Sequence, residues 1–389
     1  MSAFPRDTDP AVRGSGIEHR IREAVGRVTD PELRRPLSEL DMVRGVTATD
    51  TSVEVGIVLT IVGCPAANRI EADVRAAAEA AAEGRDVTIE VGVMTPAERQ
   101  ALTEKLRGPA KRNPFGEDSL TRVIAVTSGK GGVGKSTLTA NLAVALAGRG
   151  LKVGLVDADV HGFSIPQLLG LVENGEAVQP TQVGDMILPP IAHDVKTISI
   201  GMFLRQSDGS TPGAVMWRGP MLHRTLQQFL TDVFFGDLDV LLLDMPPGTG
   251  DIAISAGHLL PGAEVVVVTT PQPAASDVAI RSGLVARQVG QKVIGVIENM
   301  SAMVMPDGSV MDLFGSGGGE EVARALGDGA PLLGSVPLST ALRADGDEGT
   351  PFVIAHPEDP SAQAITEIAE RIATTGRGLA TRSLPFTTR

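Results

Sequence analysis

From about residue 122 onward, short unbroken apolar runs alternate with segments of helical periodicity. The runs at 123–127, 152–157, 239–244, 263–269, 292–298 and 331–336 predict strands, and 135–147, 221–235, 276–289, 320–326 and 362–373 predict helices. Strands that are apolar on both faces belong to a parallel sheet covered by helices on either side. The expected fold is therefore α/β, with a mostly parallel sheet whose ligands bind at the carboxyl ends of the strands. The first part of the chain reads differently. A polar helical segment at 17–28 precedes a buried-strand run at 53–60, an alanine-rich helix at 65–82 and an alternating strand at 87–93. That order predicts a small α+β domain over 15–107. The glycines, prolines and mixed charges of 108–120 predict a linker to a larger domain at 121–375, and 1–14 and 376–389 read as disordered ends.

A chain of 389 residues exceeds what one hydrophobic core supports, in keeping with two domains. Its net charge of −13 repels polyanions at long range, so a broad nucleic-acid surface is not expected. No apolar run approaches the roughly 20 residues that cross a bilayer, and the first 16 residues lack the apolar stretch of a secretory signal. The single cysteine, Cys64, excludes an intramolecular disulfide and fits a reducing compartment. A cytoplasmic protein without membrane or nucleic-acid partners is expected.

Gly129-Lys130-Gly131-Gly132-Val133-Gly134-Lys135-Ser136-Thr137 satisfies the G-x-x-x-x-G-K-S/T pattern and stands between a predicted strand and a predicted helix. Glycines let main-chain N–H groups approach phosphate oxygens, and the helix N-terminus adds partial positive charge. Lys135 is placed to reach the β- and γ-phosphates and Ser136 to ligate Mg²⁺, so ATP with Mg²⁺ is the expected ligand. Asp244 ends an apolar strand, where a Walker B carboxylate holds the Mg²⁺ water shell. Pro246-Pro247-Gly248-Thr249-Gly250-Asp251 comes next, and a hydrogen bond to Gly248 or Thr249 can sense a γ-phosphate. Asp157 and Asp159 end the second strand, where an aspartate either serves the site or caps the next helix. Asn299 follows a late strand; its amide either reads the adjacent donor and acceptor of adenine or forms a turn.

The run Lys130-Gly131-Gly132-Val133-Gly134-Lys135-Ser136-Thr137 resembles the deviant Walker A motif of the MinD, ParA and nitrogenase iron protein superfamily. The resemblance implies a homodimer in which Lys130 crosses to the partner's nucleotide and offsets charge on the transferred phosphoryl group. It also implies that Asp159 orients or activates the attacking water and that Asp157 supports Mg²⁺ or Lys135. Further motifs are similar to those of the Mrp/ApbC iron–sulfur cluster carrier ATPases. They are Asp157-Ala158-Asp159-Val160-His161-Gly162, Trp217-Arg218-Gly219-Pro220-Met221, Asp244 to Asp251, Glu298-Asn299-Met300 and Phe314 to Gly319. Residues 15–107 resemble the MIP18 domain through Asp30-Pro31-Glu32 and Gly63-Cys64-Pro65. This second resemblance implies slow ATP hydrolysis by a homodimer that delivers iron–sulfur clusters to apo iron–sulfur proteins or meets other assembly factors.

One departure stands out. That family usually carries a Cys-x-x-Cys pair between the positions of Asn299-Met300 and the glycine run, and two subunits together supply four thiolates to a bridging cluster. Here Met305 and Gly308 occupy those positions, and neither replaces a thiolate. Cys64 is the only remaining thiol and the one candidate thiol ligand. It precedes Pro65 and a helix whose N-terminus favours a thiolate, and it reads equally as a buried structural cysteine. Two alternatives therefore stay open: a nucleotide-switched adaptor that holds no cluster, and a positioning ATPase of the MinD/ParA kind, although the tail lacks the basic amphipathic helix that membrane attachment uses.

Overall fold

A computed structural model describes residues 16–61, 64, 66–107, 113–116, 119–160, 162–203, 219–305, 309–327 and 329–375. The two ends that read as disordered, and most of the predicted linker, lie outside these residues. The chain divides into two compact units.

The first unit contains α1 (Gly16–Gly26), β1 (Val43–Ala48), β2 (Ser52–Leu59), α2 (Ala67–Ala81), β3 (Asp86–Val93) and α3 (Pro96–Arg107). β1 and β2 form an antiparallel hairpin, and β3 pairs with β2 in parallel, so α2 is the crossover of a βαβ unit. Ile70, Val74 and Ala78, four residues apart on α2, are fully buried, as are Ile21 and Val25 of α1. Two later segments, Pro180–Pro190 and Thr231–Gly236, also belong to this unit. They contribute Val183, Met186, Leu188 and Phe234 to its hydrophobic core. The sequence pattern reveals neither β1, which carries Arg44, Gly45 and a register irregularity, nor α3, which buries only Leu102 and so lacks an apolar stripe.

The second unit is built on an eight-stranded sheet. Its long strands are β4 (Arg122–Ser128), β5 (Val153–Asp157), β6 (Val195–Ser199), β7 (Val240–Asp244), β8 (Glu264–Thr269), β9 (Lys292–Ser301) and β10 (Leu332–Pro337). They lie side by side in the order β6-β5-β7-β4-β8-β9-β10, all parallel, and the short strand Ile191–Ala192 pairs antiparallel at the β6 edge. Every residue of β4, β5, β6, β7 and β8 is buried. Successive side chains of a strand point to opposite faces, so both faces of the sheet are covered. The longer helices are α4 (Lys135–Gly148), α5 (Gly219–Thr231), α6 (Asp251–Leu259), α7 (Pro273–Gln288), α8 (Gly318–Leu326), α9 (Thr340–Glu348) and α10 (Pro360–Thr374). The α/β sheet expected from the apolar runs is present, with one long strand more than predicted. β6 escapes the pattern because Lys196 and Thr197 interrupt its apolar run, yet these two residues are 1% and 0% exposed.

Chain order places the topological switch at β4. The chain leaves β4 for β5 and β6 on one side, returns through β7, then crosses to β8, β9 and β10 on the other. A crevice opens outside the carboxyl end of the strand where such a reversal occurs. At the opposite end of the same strand, buried Arg122 donates from Nε to buried Glu264 of β8 and from Nη1 to the carbonyl of Ile372 in α10. Breaking a buried pair strands the remaining charge. Arg122→Met is expected to lower unfolding stability by about 3–5 kcal/mol, and adding Glu264→Leu to recover most of the loss, as read from urea unfolding midpoints.

Candidate nucleotide site

The loop between β4 and α4 passes two glycines with positive φ, Gly132 at 78° and Gly134 at 76°, before the helix begins at Lys135. In the left-handed region a Cβ is costly, which is why the sequence has glycine there. At Gly134 space forbids it too: a Cβ would come 2.2 Å from Nδ2 of Asn299. Asn299 is 4% exposed, and its Nδ2 donates to the carbonyl of Val133 at 2.9 Å. The end of β9 thus fixes the second half of the loop. The first half leans on α7, because a Cβ on Gly129 would fall 2.2 Å from the carbonyl carbon of Val278.

Lys135 opens α4 with 6% exposure, and its Nζ donates to Oδ1 of Asp244 at 2.8 Å. Ser136 Oγ donates to Oδ2 of the same carboxylate at 2.6 Å, and Thr139 Oγ1 to Oδ1 at 2.9 Å. Asp244 has no exposure, so these three donors replace water around it. Ser136 and Asp244 are legible in the sequence as a pair. Thr139 is not, although it stands one helical turn after Lys135 and hence on the same face of α4.

Asp157 is opposite Asp244 in the register of β5 and β7, and it too has no exposure. Its Oδ2 accepts from Ser199 Oγ at 2.9 Å and its Oδ1 from the N–H of Asp159 at 3.1 Å. Ser199 closes β6, the strand that the apolar pattern misses, and escapes recognition with it. Asp159 is 8% exposed, and its Oδ1 accepts from the N–H of Gly162 at 3.2 Å. After β7, the N–H of Gly248 donates to the carbonyl of Ser128 at the end of β4 at 2.8 Å. Thr137 offers its carbonyl to Asn141 Nδ2 at 2.9 Å. Lys130 Nζ donates to Oε1 of Gln272 at 3.0 Å.

Lys130, Lys135, Ser136, Asp157, Asp159, Asp244 and Asn299 thus gather around the carboxyl ends of β4, β5, β7 and β9. The donor set suits Mg²⁺, a hard cation that takes oxygen ligands and keeps several waters. Among the described residues no group of three or more His, Cys, Asp and Glu side chains is placed to hold a metal ion. A divalent ion here would therefore draw its remaining ligands from phosphate oxygens and water. The site also fits a polyphosphate, since the loop has main-chain donors, two left-handed glycines and a buried ammonium group.

Cys64 belongs to the first unit. It is 6% exposed, with Sγ 3.9 Å from Oε2 of Glu32. Burial, then the neighbouring Glu32 and Asp30, pushes its thiol up to about 11 against the opposing pull of the Ala66 and Ala67 N–H groups. Its burial agrees with the structural reading of Cys64, and the direction of the pKa is opposite to that of a helix-activated thiolate. Asp30 accepts from the N–H groups of Glu32 at 2.9 Å and Leu33 at 2.8 Å, so the Asp30-Pro31-Glu32 motif is tied up in a turn. Oε1 of Glu32 accepts from Thr181 Oγ1 at 3.1 Å. Met305 sits at the turn of a hairpin between Met303–Val304 and Val310–Met311, its N–H donating to the carbonyl of Ser309 at 2.8 Å. Gly308, His161, Gly63, Pro65 and Trp217-Arg218 lie outside the described residues.

Burial, and next the adjacent Asp244, raises the pKa of Asp157 well above the usual carboxylate range; Ser199, the Asp159 N–H and Lys135 act in the other direction. The folded state then binds this proton more tightly than the unfolded chain does. Below the unfolded pKa of about 4 the group costs nothing, and its cost grows as pH rises from there through the raised folded value. Asp157→Asn is expected to raise the melting temperature of the nucleotide-free protein at pH 7 to 8. The gain over wild type should shrink toward zero as the pH is lowered to about 4, and calorimetry over that range checks it.

The model of the NUBPL iron-transfer P-loop NTPases matches residues 119–373, and that of the iron-sulfur cluster assembly proteins matches 18–91. The iron-sulfur cluster carrier protein of Mycobacterium tuberculosis is 52% identical over 380 residues, which cover 96% of this chain and 97% of that one. The protein of the same name from Bacillus subtilis is 35% identical, over 91% and 97% of the two chains. Among solved structures, a nucleotide-binding protein of Archaeoglobus fulgidus in complex with ADP is 34% identical with a TM-score of 0.45, over 59% of this chain and 87% of that one. One model covers well over half of the sequence and the relatives match it nearly end to end, so the chain belongs to the NUBPL iron-transfer family of P-loop NTPases.

Proposed function

We propose that this chain binds ATP with Mg²⁺ at the loop 129–137, hydrolyses it as a homodimer, and uses that cycle to deliver iron–sulfur clusters to apo iron–sulfur proteins. The observation that carries the reading is the convergence of Lys135, Ser136 and Thr139 on buried Asp244, with Asp157 beside it, in a chain of this family. Cluster handling rests on the relatives, which bear the name iron-sulfur cluster carrier protein.

In this reading Ser136 and Asp244 would hold Mg²⁺ with Asp157 supporting that end of the site, and Lys135 would meet the β- and γ-phosphate oxygens. The cation, when bound, would supply neutralisation of charge on the phosphates. Asp159, at the mouth of β5, orients the attacking water. Lys130 reaches the nucleotide of the partner subunit. Asn299 keeps Nδ2 on the Val133 carbonyl and offers Oδ1 to the adenine amino group. Gly248 gives up its bond to Ser128 to meet the γ-phosphate, a hydrogen bond worth about 1 kcal/mol. Its left-handed φ of 91° makes this a position for glycine.

A second reading, an adaptor that switches with nucleotide and holds no cluster, is favoured by the thiol inventory. Cys64 is the sole cysteine, buried and protonated at neutral pH, and a methionine stands where the family has its first cluster cysteine. Anaerobic reconstitution with iron and sulfide separates the two. A carrier holds iron and sulfide after desalting and passes them to an apo-ferredoxin. An adaptor retains neither, with or without ATP.

The nucleotide chemistry is tested apart from the cargo. Lys135→Ala is expected to abolish the melting-temperature rise caused by millimolar Mg·ATP. Lys130→Ala should keep that rise and lose about 10³-fold in turnover, and equal turnover in Lys130→Ala and wild type would remove the crossing lysine from the mechanism.

A further inference from the structure

Lys130 is held at both ends. Ser128, fully buried at the end of β4, donates its hydroxyl to the Lys130 carbonyl at 3.0 Å. The Lys130 ammonium group donates to Oε1 of Gln272 at 3.0 Å. Ammonium and amide are 142 residues apart in sequence, and the acceptor is neutral. A neutral acceptor gives the lysine a defined place without the strong hold of a carboxylate.

Gln272 is built to present that acceptor. It stands between Pro271 and Pro273, and a residue that precedes proline is confined to extended backbone. Its φ and ψ of −64° and 128° agree, and it occupies the N-cap of α7. A residue at that position commonly turns its side chain back onto the first helical N–H groups. Gln272 makes no such bond. Its main-chain carbonyl instead takes the N–H groups of Ala275 at 2.8 Å and Ser276 at 3.1 Å, which leaves the side-chain amide to face the loop. Gly129 is seated against the main chain of the same helix at Val278 and Ala279. The base of the loop and the start of α7 therefore form one body, and the side chain of Lys130 is the part that can leave it.

We propose that Gln272 is a positioning residue that holds Lys130 within its own subunit until the nucleotide-bound dimer forms. The proposal rests on the reading of Lys130 as the crossing lysine. A lysine parked in its own subunit cannot complete the partner's site, so a lone subunit stays silent and hydrolysis waits for assembly. The contact lies in the starting state and is lost in the working one, so weakening it shifts the balance toward the dimer.

The full-length, nucleotide-free protein is treated with a limiting amount of sulfo-NHS-acetate, and the acylation of Lys130 is followed by mass spectrometry against Lys152 and Lys292 as internal references. Gln272→Met keeps the length of the side chain but has no amide acceptor, and Gln272→Ala removes it altogether. Both are expected to raise the acylation rate at Lys130 about three- to tenfold. Gln272→Glu, which offers a charged acceptor in the same place, should lower it below wild type. Gln272→Met should also reach half-maximal ATP turnover at a protein concentration about threefold lower than wild type, with unchanged affinity for Mg·ATP. Equal acylation in all four proteins overturns the proposal. So does altered acylation with an unshifted concentration dependence while Lys130→Ala is slow. If Lys130→Ala turns over like wild type, the crossing-lysine reading fails by itself, and the acylation pattern alone then decides whether Gln272 positions the lysine.

Discussion

Two carboxylates with no exposure stand side by side at the ends of β5 and β7, and the rest of the site answers to that fact. Charge buried in a sheet must be met by donors or cations, or it is neutralised by a proton. Asp244 is met by Lys135, Ser136 and Thr139 from a single helix. Asp157 has one hydroxyl, one main-chain N–H and a raised pKa. The arrangement makes Lys135 the counter-ion of Asp244. It can leave Asp244 only where another cation takes its place. In the proposed reading a triphosphate that arrives with Mg²⁺ would supply that cation, and the same pair of carboxylates would link phosphate binding to metal binding.

The loop is positioned from outside as much as by its own glycines. Gly129 is pressed on the main chain of α7, and Gly134 lies under the amide of Asn299. Each contact joins the loop to an element on the opposite branch of the sheet: α7, which comes after β8, and the end of β9. A loop held in this way follows displacement of that branch, because closely packed contacts have little slack to absorb it.

How much of this is legible in the sequence depends on whether the signal is local. The phosphate loop, Asp157, Asp159, Asp244 and Asn299 can be found because each sits at a fixed offset from a strand end, and apolar strands announce themselves. Ser199 and the strand that bears it are hidden because Lys196 and Thr197 look like surface residues, and only the three-dimensional packing shows them buried. Gln272 is hidden because a glutamine between prolines carries no pattern of its own; its meaning comes from Lys130, 142 residues away. The same limit applies to the first unit. Its βαβ core can be read from 53–93, whereas the contribution of Val183, Met186, Leu188 and Phe234 comes from chain far downstream. For Cys64 the two local signals conflict. A helix N-terminus lowers a thiol pKa and burial beside carboxylates raises it; here burial with Glu32 and Asp30 outweighs the Ala66 and Ala67 N–H groups.

The strand that holds the loop also leads into the segment where the family has its cluster cysteines. Glu298, 6% exposed, accepts from the N–H of Gly319 at 2.7 Å, while its neighbour Asn299 bonds to Val133. Met300 comes next with a φ of 55°, at a register irregularity between β9 and β10, and the chain then runs into the hairpin of Met305. The hairpin pairs Met303 with Met311 and Val304 with Val310, and Met305 offers a thioether where the resemblance implies a thiolate. Clusters of the bridging kind take four thiolates. With one cysteine per chain, two copies provide at most two, and these are buried thiols with a pKa of about 11. A carrier of this composition requires further ligands from a client protein or a small thiol, together with an opening of the first unit around Cys64. An adaptor requires neither, so the demand for an added thiol during reconstitution distinguishes the two more sharply than the amount of iron retained.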